Sequence, residues 1–190
     1  MTEVSSFAPI EGNSARVLIL GSMPGVASLT AGQYYAHPQN SFWKILQAIL
    51  EIPAGADYET RIELLKRSNI ALWDVLESCI RPGSMDAAID MDTAKVNDIK
   101  ALMHRHPEIN VICFNGSIAE KIFKKRVLPL VGDFSVKYIR LPSTSPAHAS
   151  MSFENKVMAW RAAIQPYLRL GHHPSNGNHQ HNTLIFTVLE

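Results

Sequence analysis

Four short strand-like runs, bounded by turn residues, divide the chain: Val17–Leu20, Ile70–Trp73, Val111–Phe114 and Val136–Leu141. Runs of that length predict buried strands rather than helices. The segments between them carry helical spacing. Phe42, Ile45, Leu46 and Ile49 fall on one face, and Arg61–Arg67 carries Ile62, Leu64 and Leu65. Thr93–His106 sets Val96, Ile99, Leu102 and Met103 at the same period, with Asp92 as the expected N-cap. Ser117–Lys125 and Phe153–Leu168 complete the helical set. Strands alternating with helices imply a three-layer α/β/α sandwich around a central, mainly parallel four-stranded sheet. Neither a repeat nor a linker interrupts residues 1–170, which read as a single domain. From Gly171 the composition turns to His and Asn and closes on the apolar run Leu184–Leu189, so 171–190 reads as a polar extension ending in a strand.

Composition narrows the function classes. With 190 residues, 46% hydrophobic and 18% charged, the chain has an ordinary globular make-up. No apolar run approaches the roughly 18 to 20 residues of a membrane span. The stretch MTEVSSFAPIEGN lacks the basic and apolar regions of a signal peptide, so the expected location is the cytoplasm, or the nucleus of a eukaryote. A net charge of +1 is not the signature of a strong polyanion binder, and any nucleic-acid role must rest on a local patch. The short basic run Lys124-Lys125-Arg126 reads as a solvated helix end. Cys79 and Cys113 are too few for a disulfide framework, and Cys113 sits within an apolar run as a core residue. His172, His173, His179 and His181 have no Cys or carboxylate among them, so neither a metal nor another cofactor is expected.

In sheets of this kind ligands bind beyond the carboxyl ends of the strands. Gly21–Ser41, Asp74–Asp92, Asn115-Gly116 and Pro142–Ser152 occupy those ends and are expected to converge on one site. The first of them holds no Asp, Glu, Lys or Cys. Its GSMPG turn fits either a phosphate-binding loop or a plain structural turn, but not a nucleotide P-loop, because no Lys-Ser or Lys-Thr follows the glycines. Asn40 is placed to cap the helix that begins at Ser41 or Phe42, and Trp43 fits that helix's apolar face. Arg81 and Asp86 either shape a pocket mouth together with Asp74 or pair with each other on the surface.

The motifs are more specific in combination. The GSMPG turn after an apolar run, AHPQNSFWKIL, FNGSIAEKIF and LPSTSPAHAS together resemble the uracil-DNA glycosylase superfamily over Val17 to Leu168. HPQNSFWKIL is similar to the mismatch-specific branch. GSMPG, YYAHPQNSFW and LWDVLESCIRPGSMDAAI look more like the hypoxanthine-DNA glycosylase family, which removes deaminated adenine from DNA. The resemblance implies a monofunctional DNA N-glycosylase that flips out a deaminated base, hypoxanthine first, and leaves an abasic site. Its alternatives are a mismatch-specific uracil or thymine glycosylase and a non-catalytic nucleic-acid-binding module. The implied partner is double-stranded DNA carrying a deaminated base, bound by a monomer with no membrane involved.

Breaking an N-glycosidic bond passes through an oxocarbenium-like sugar while negative charge builds on the departing base. Preorganised dipoles serve such chemistry without a strong nucleophile. In mismatch-specific relatives an Asn two places after the first glycine positions the water; Met23 stands there, and a thioether orients water poorly. The resemblance moves the catalytic role to Asn40, with His37 either donating to the departing purine or fixing the loop before Pro38. Gly21, Ser22, Met23 and Pro24 then frame the substrate, Tyr35 and Phe42 offer aromatic faces to a flipped base, and Asn115 reads its edge. Asn115 equally suits a plain Asn-Gly turn. Ser143, Thr144, Ser145, Pro146, His148 and Ser150 belong to the loop that, in the superfamily, enters the minor groove and meets phosphates. The best-known form of that loop opens with a His that stabilises the leaving base; here the place holds Ser143, which leaves that role unassigned. No Lys falls in these segments, which argues against a Schiff-base step.

Overall fold

A computed structural model of the protein describes residues 3–168. The tail histidines and the strand expected over Leu184–Leu189 lie outside the described residues. The strands are β1 (Glu3–Ser5), β2 (Val17–Gly21), β3 (Ile70–Asp74), β4 (Leu76–Ile80), β5 (Asp90–Val96), β6 (Val111–Asn115) and β7 (Lys137–Leu141). The helices are α1 (Val26–Ala31), α2 (Phe42–Leu50), α3 (Tyr58–Arg67), α4 (Ile99–Arg105), α5 (Ser117–Ile122), α6 (Leu128–Val131) and α7 (Phe153–Ile164).

The four strand-like runs form one parallel sheet in the order β3-β2-β6-β7. Every residue of β2 and β3 is buried, as expected of strands covered on both faces. The chain steps outward from β2 to β3, then back across to β6 and β7. Right-handed crossovers therefore put α2 and α3 on one face and α4 and α5 on the other. α7 returns to the first face, packing on α2 and reaching the Ala48 carbonyl through Arg161 at 2.8 Å. All four strands point their carboxyl ends the same way, so the loops that follow them share one edge of the sheet.

Two features depart from the sequence pattern. Thr93–His106 is not one helix: β5 occupies its first part, and α4 begins only at Ile99. Along β5 half-buried Met91 and Thr93 alternate with exposed Asp90 and Asp92, and Thr93 Oγ1 accepts from the Ile80 amide at 2.9 Å. The phase slips by one at Ala94, so that Lys95 is exposed and Val96 half-buried. The N-cap is Asp98, whose side chain accepts from the Ala101 amide at 2.9 Å, not Asp92. Helical spacing in this stretch is the coincidence of a strand running into a short helix.

The second departure is an antiparallel sheet, β1-β4-β5: β4 and the start of β5 lie in the Asp74–Asp92 segment expected to be loop, and β1 joins them from the N-terminal stretch. Only Val75 separates β3 from β4, so one extended stretch serves both sheets. Buried Asn97 locks the junction by donating to the Asp74 and Leu76 carbonyls at 2.9 and 3.0 Å. Cys79 and Cys113 are free and buried. The basic run lies in a π-helical turn over Phe123–Val127, where Lys124 pairs with Glu120 and Arg126 turns back to the Met91 carbonyl. That run is therefore only partly a solvated helix end.

Candidate active site

The four segments at the carboxyl edge do converge. They enclose a cavity of about 400 Å³, within the roughly 300 to 1,000 Å³ usual for small-molecule sites. Gly21–Gly25, Tyr35, His37 and Asn40 line one side, Asp74 and Ser84–Ala87 a second, Asn115 and Ser143–His148 a third.

The floor is built around Gly21. A Cβ at this position would overlap Asp74 Oδ1 and stand 2.8 Å from the Tyr35 hydroxyl, so only glycine lets both groups approach the strand end. Tyr35 reaches this place from a left-handed backbone, φ +55°, unusual for a bulky residue. Its neighbours hold it there. The Tyr34 amide donates to the Tyr58 hydroxyl at 2.9 Å, the Trp43 indole donates to the Tyr34 carbonyl at 2.8 Å, and the Ala36 amide donates to Ser28 Oγ at 3.2 Å. The peptides on both sides of Tyr35 are thus fixed by side chains from α1, α2 and α3, and the strain is retained where the pocket uses it.

Asp74 and the Tyr35 hydroxyl are both buried, and neither Asp74 Oδ2 nor that hydroxyl has a hydrogen-bond partner among the described residues. Burial, with Asp86 nearby adding to it, pushes the Asp74 carboxyl up to about 8 against the pull of Arg81. Asp74 is therefore a neutral acid at pH 7. Burial and the neighbouring Asp74 also push the Tyr35 phenol up, so it stays protonated; Asn115 beside it offsets part of that rise. From the sequence alone Asp74 is no more than a wall of the pocket mouth. Its available signal was an acid closing an otherwise apolar strand, IALWD.

The GSMPG turn is held from behind. Arg81 is buried and donates to the Met23, Pro24 and Gly83 carbonyls. Asp86 accepts from Ser22 Oγ at 2.7 Å, and Ser84 Oγ accepts from the Val26 amide at 2.8 Å. Arg81 and Asp86 do not form the surface ion pair that the sequence left open: one clamps the loop carbonyls, the other its serine. Met23 is buried and lines the cavity.

Asn40 lines the same cavity and also caps. Its Oδ1 accepts from the Phe42 amide at 2.9 Å, and its own amide donates to the His37 carbonyl at 2.8 Å. The carboxamide is thereby aimed, while its Nδ2 has no partner among the described residues. His37 is exposed at the rim, and its Nδ1 accepts from the Gln39 amide at 3.2 Å. Phe42 does not meet the cavity: it is fully buried, stacked beneath Tyr35 with ring centroids 3.9 Å apart. The helical period that puts Phe42 on the apolar face of α2 also puts it out of a ligand's reach, so its part is to support Tyr35.

Asn115 and Thr144 bind each other reciprocally. The Thr144 amide donates to Asn115 Oδ1 and Asn115 Nδ2 donates to Thr144 Oγ1, both at 2.9 Å. The Thr144 carbonyl accepts from the Ser41 amide at 3.0 Å. With 1% of its surface exposed, Thr144 is a rivet joining three segments and not the phosphate contact expected of it. Ser143 and Ser145 shape the loop by accepting from the amides of Ser145 and Ala147, and Pro146 and His148 complete its cavity face. Lys156 and Trp160 of α7 anchor the loop through the His148 and Pro142 carbonyls at 2.7 and 3.0 Å. Ser150 is exposed and lies off the cavity.

Comparison with known proteins bears on this arrangement. The family model described as the uracil DNA glycosylase superfamily matches residues 9–169. A protein from Methanosarcina acetivorans named hypoxanthine DNA glycosylase is 33% identical over 160 residues, which cover 84% of this chain and 96% of that one. Another of the same name from Methanosarcina barkeri is 38% identical over 111 residues, covering 58% and 69%. A solution NMR structure of a candidate uracil DNA glycosylase from M. acetivorans superposes with a TM-score of 0.72 at 30% identity, covering 87% of this chain and 98% of that one.

Proposed function

The chain belongs to the uracil DNA glycosylase superfamily and is a DNA N-glycosylase, and from that premise we propose that it excises hypoxanthine from double-stranded DNA. The observation that carries the substrate is the similarity, over nearly a whole relative, to a protein named for hypoxanthine. The cavity supports it: it is large enough for a flipped purine and is lined by hydrogen-bonding groups.

In this reading the flipped base enters over Gly21, between the GSMPG turn and the Tyr35 ring. Asn40, aimed by the Phe42 amide, keeps a free lone pair and its Nδ2 to hold a water against C1′. His37 stands at the rim, where a ring nitrogen faces an incoming nucleotide. Asn115 retains one N–H for the base edge beyond its two bonds to Thr144. Ser143, Ser145, His148 and Ser150, with Pro146 shaping the turn, meet the phosphates through polar groups without adding fixed charge. The catalytic unit is residues 1–170 acting as a monomer, in whichever compartment holds the DNA, with 171–190 as an appended extension. Among the described residues no helix is long and apolar enough to cross a membrane.

The test is incubation with duplexes carrying one hypoxanthine, uracil or xanthine, followed by alkaline cleavage at abasic sites. Hypoxanthine strands should be cut fastest. Selective cleavage at uracil would instead assign the protein to the mismatch-specific branch, and no cleavage of any strand would refute the reading.

A further inference from the structure

The mechanism above leaves two groups idle at the cavity floor, the Asp74 carboxyl and the Tyr35 hydroxyl. Asp74 Oδ2 and the Tyr35 hydroxyl are buried without a hydrogen-bond partner among the described residues, and both side chains converge on the open face of Gly21. Native structures rarely keep such groups without a reason, and a catalytic role is one of the few that account for them. We propose that the Asp74 carboxyl donates a hydrogen bond to the departing base, with the Tyr35 hydroxyl as second donor, and so fills the leaving-group role that Ser143 cannot. This rests on the glycosylase reading.

The chemistry balances without a change at Asp74. The C1′–N bond breaks with its electron pair leaving on the base, and a water oxygen bonds to C1′. The proton that water sheds ends on the base, so the products are a free base and an abasic sugar. Asp74 shares its own proton with the base as charge builds and keeps it afterwards. A protonated carboxyl is a stronger donor than an amide or alcohol, and in a water-poor pocket such a donor acts where the charge develops.

The role requires the neutral acid, and its surroundings supply that. Asp86 and Arg81 face Asp74 from the segment between β4 and β5, and Tyr34 and Tyr35 from the connection before α2. His37 and His148 line the cavity farther out. The turn between Gly21 and Gly25 contributes no titratable side chain. Burial outweighs Arg81 and holds the carboxyl protonated up to about pH 8. Above that pH a carboxylate has no proton to donate, and its charge opposes the departing anion.

The experiment is single-turnover release from a hypoxanthine duplex by the full-length protein and by Asp74→Asn, from pH 6 to pH 9. Asparagine keeps the shape and an N–H donor but cannot ionise. Ionisation of the base itself slows both proteins alike, so the readout is the ratio of their rates. That ratio should fall about tenfold from pH 7 to pH 9, following the loss of the Asp74 proton. A ratio constant with pH overturns the proposal. If the variant is too slow to profile, a duplex carrying 7-methylhypoxanthine decides at the acid end of that range, where the base keeps its N1 proton, is a cation, departs neutral and needs no donor. Recovery of the variant toward wild-type rate on it supports the role, and no recovery overturns it. Absence of release by the wild-type protein at pH 7 is a different outcome and would refute the glycosylase reading itself.

Discussion

Replacing Asp74 by Asn should change how stability depends on pH, and the size of the change follows from the cavity floor. In the folded protein the carboxyl keeps its proton to about pH 8; in the unfolded chain it loses it near 3.8. Between those values the folded state binds the extra proton, so stability falls as pH rises. The contribution is complete below the unfolded value and gone once pH passes the folded one. Each pH unit within the window is worth about 1.4 kcal/mol. From pH 5 to pH 7, both inside the window, Asp74 should cost the wild-type protein about 3 kcal/mol that the Asn variant does not lose. Urea unfolding of both proteins at pH 5, 6 and 7 gives the difference, in which every other titrating group cancels to first order. Curves for the two proteins that stay parallel within about 0.5 kcal/mol would show that Asp74 is ionised in the folded state, and the argument from its burial would fall.

Three further outcomes are expected. Gly21→Ala places a methyl group against Asp74 and Tyr35, so it should cost about 1 to 3 kcal/mol in thermal or urea unfolding and abolish base release, since it occupies the pocket floor. Asn40→Ala should slow hypoxanthine release at least about tenfold, roughly 1.4 kcal/mol of barrier, and unchanged turnover would remove Asn40 from the catalytic role. Asp98→Ala should destabilise by about 1 kcal/mol through loss of the α4 cap, whereas Asp92→Ala, exposed on β5, should stay within about 0.5 kcal/mol; the reverse order would contradict the helix boundary.

The parallel sheet was readable because burial of a central strand is written locally. β2, β3 and β6 each hold four or more consecutive apolar residues, and Val17–Leu20 or Val111–Phe114 announce it without reference to anything else. The edge strand β7, by contrast, mixes apolar residues with Lys137 and Arg140. The antiparallel sheet was not readable, because β4 mixes Glu77 and Ser78 with its apolar residues, β5 has no fully buried residue, and their mutual register is irregular, so the pattern is weak. In 93–106 a strand of period two runs into a helix of seven residues, and together they mimic one longer helix. Distinguishing Asp98 from Asp92 as the cap needs the knowledge that β5 pairs with β4.

At the site the division is similar. Loops that follow parallel strands must gather at one edge, so the convergence of Gly21, Asp74, Asn115 and the Ser143–His148 loop follows from strand order in the chain. The motifs spanning those loops were also enough to indicate the family, because contact with one ligand constrains residues at fixed local spacing. What each side chain does there was a tertiary matter. Thr144 and Ser143 are neighbours in a row of hydroxyls, yet only Thr144 is buried against Asn115 and Ser41. Phe42 and Tyr35 look alike as aromatic candidates, yet one supports and the other faces the cavity. Asp74 is one acid among several until β2, the Tyr35 loop and Asp86 surround it and strip its water. Protonation state and accessibility depend on what remote segments bring near, and that proximity exists only in the folded chain.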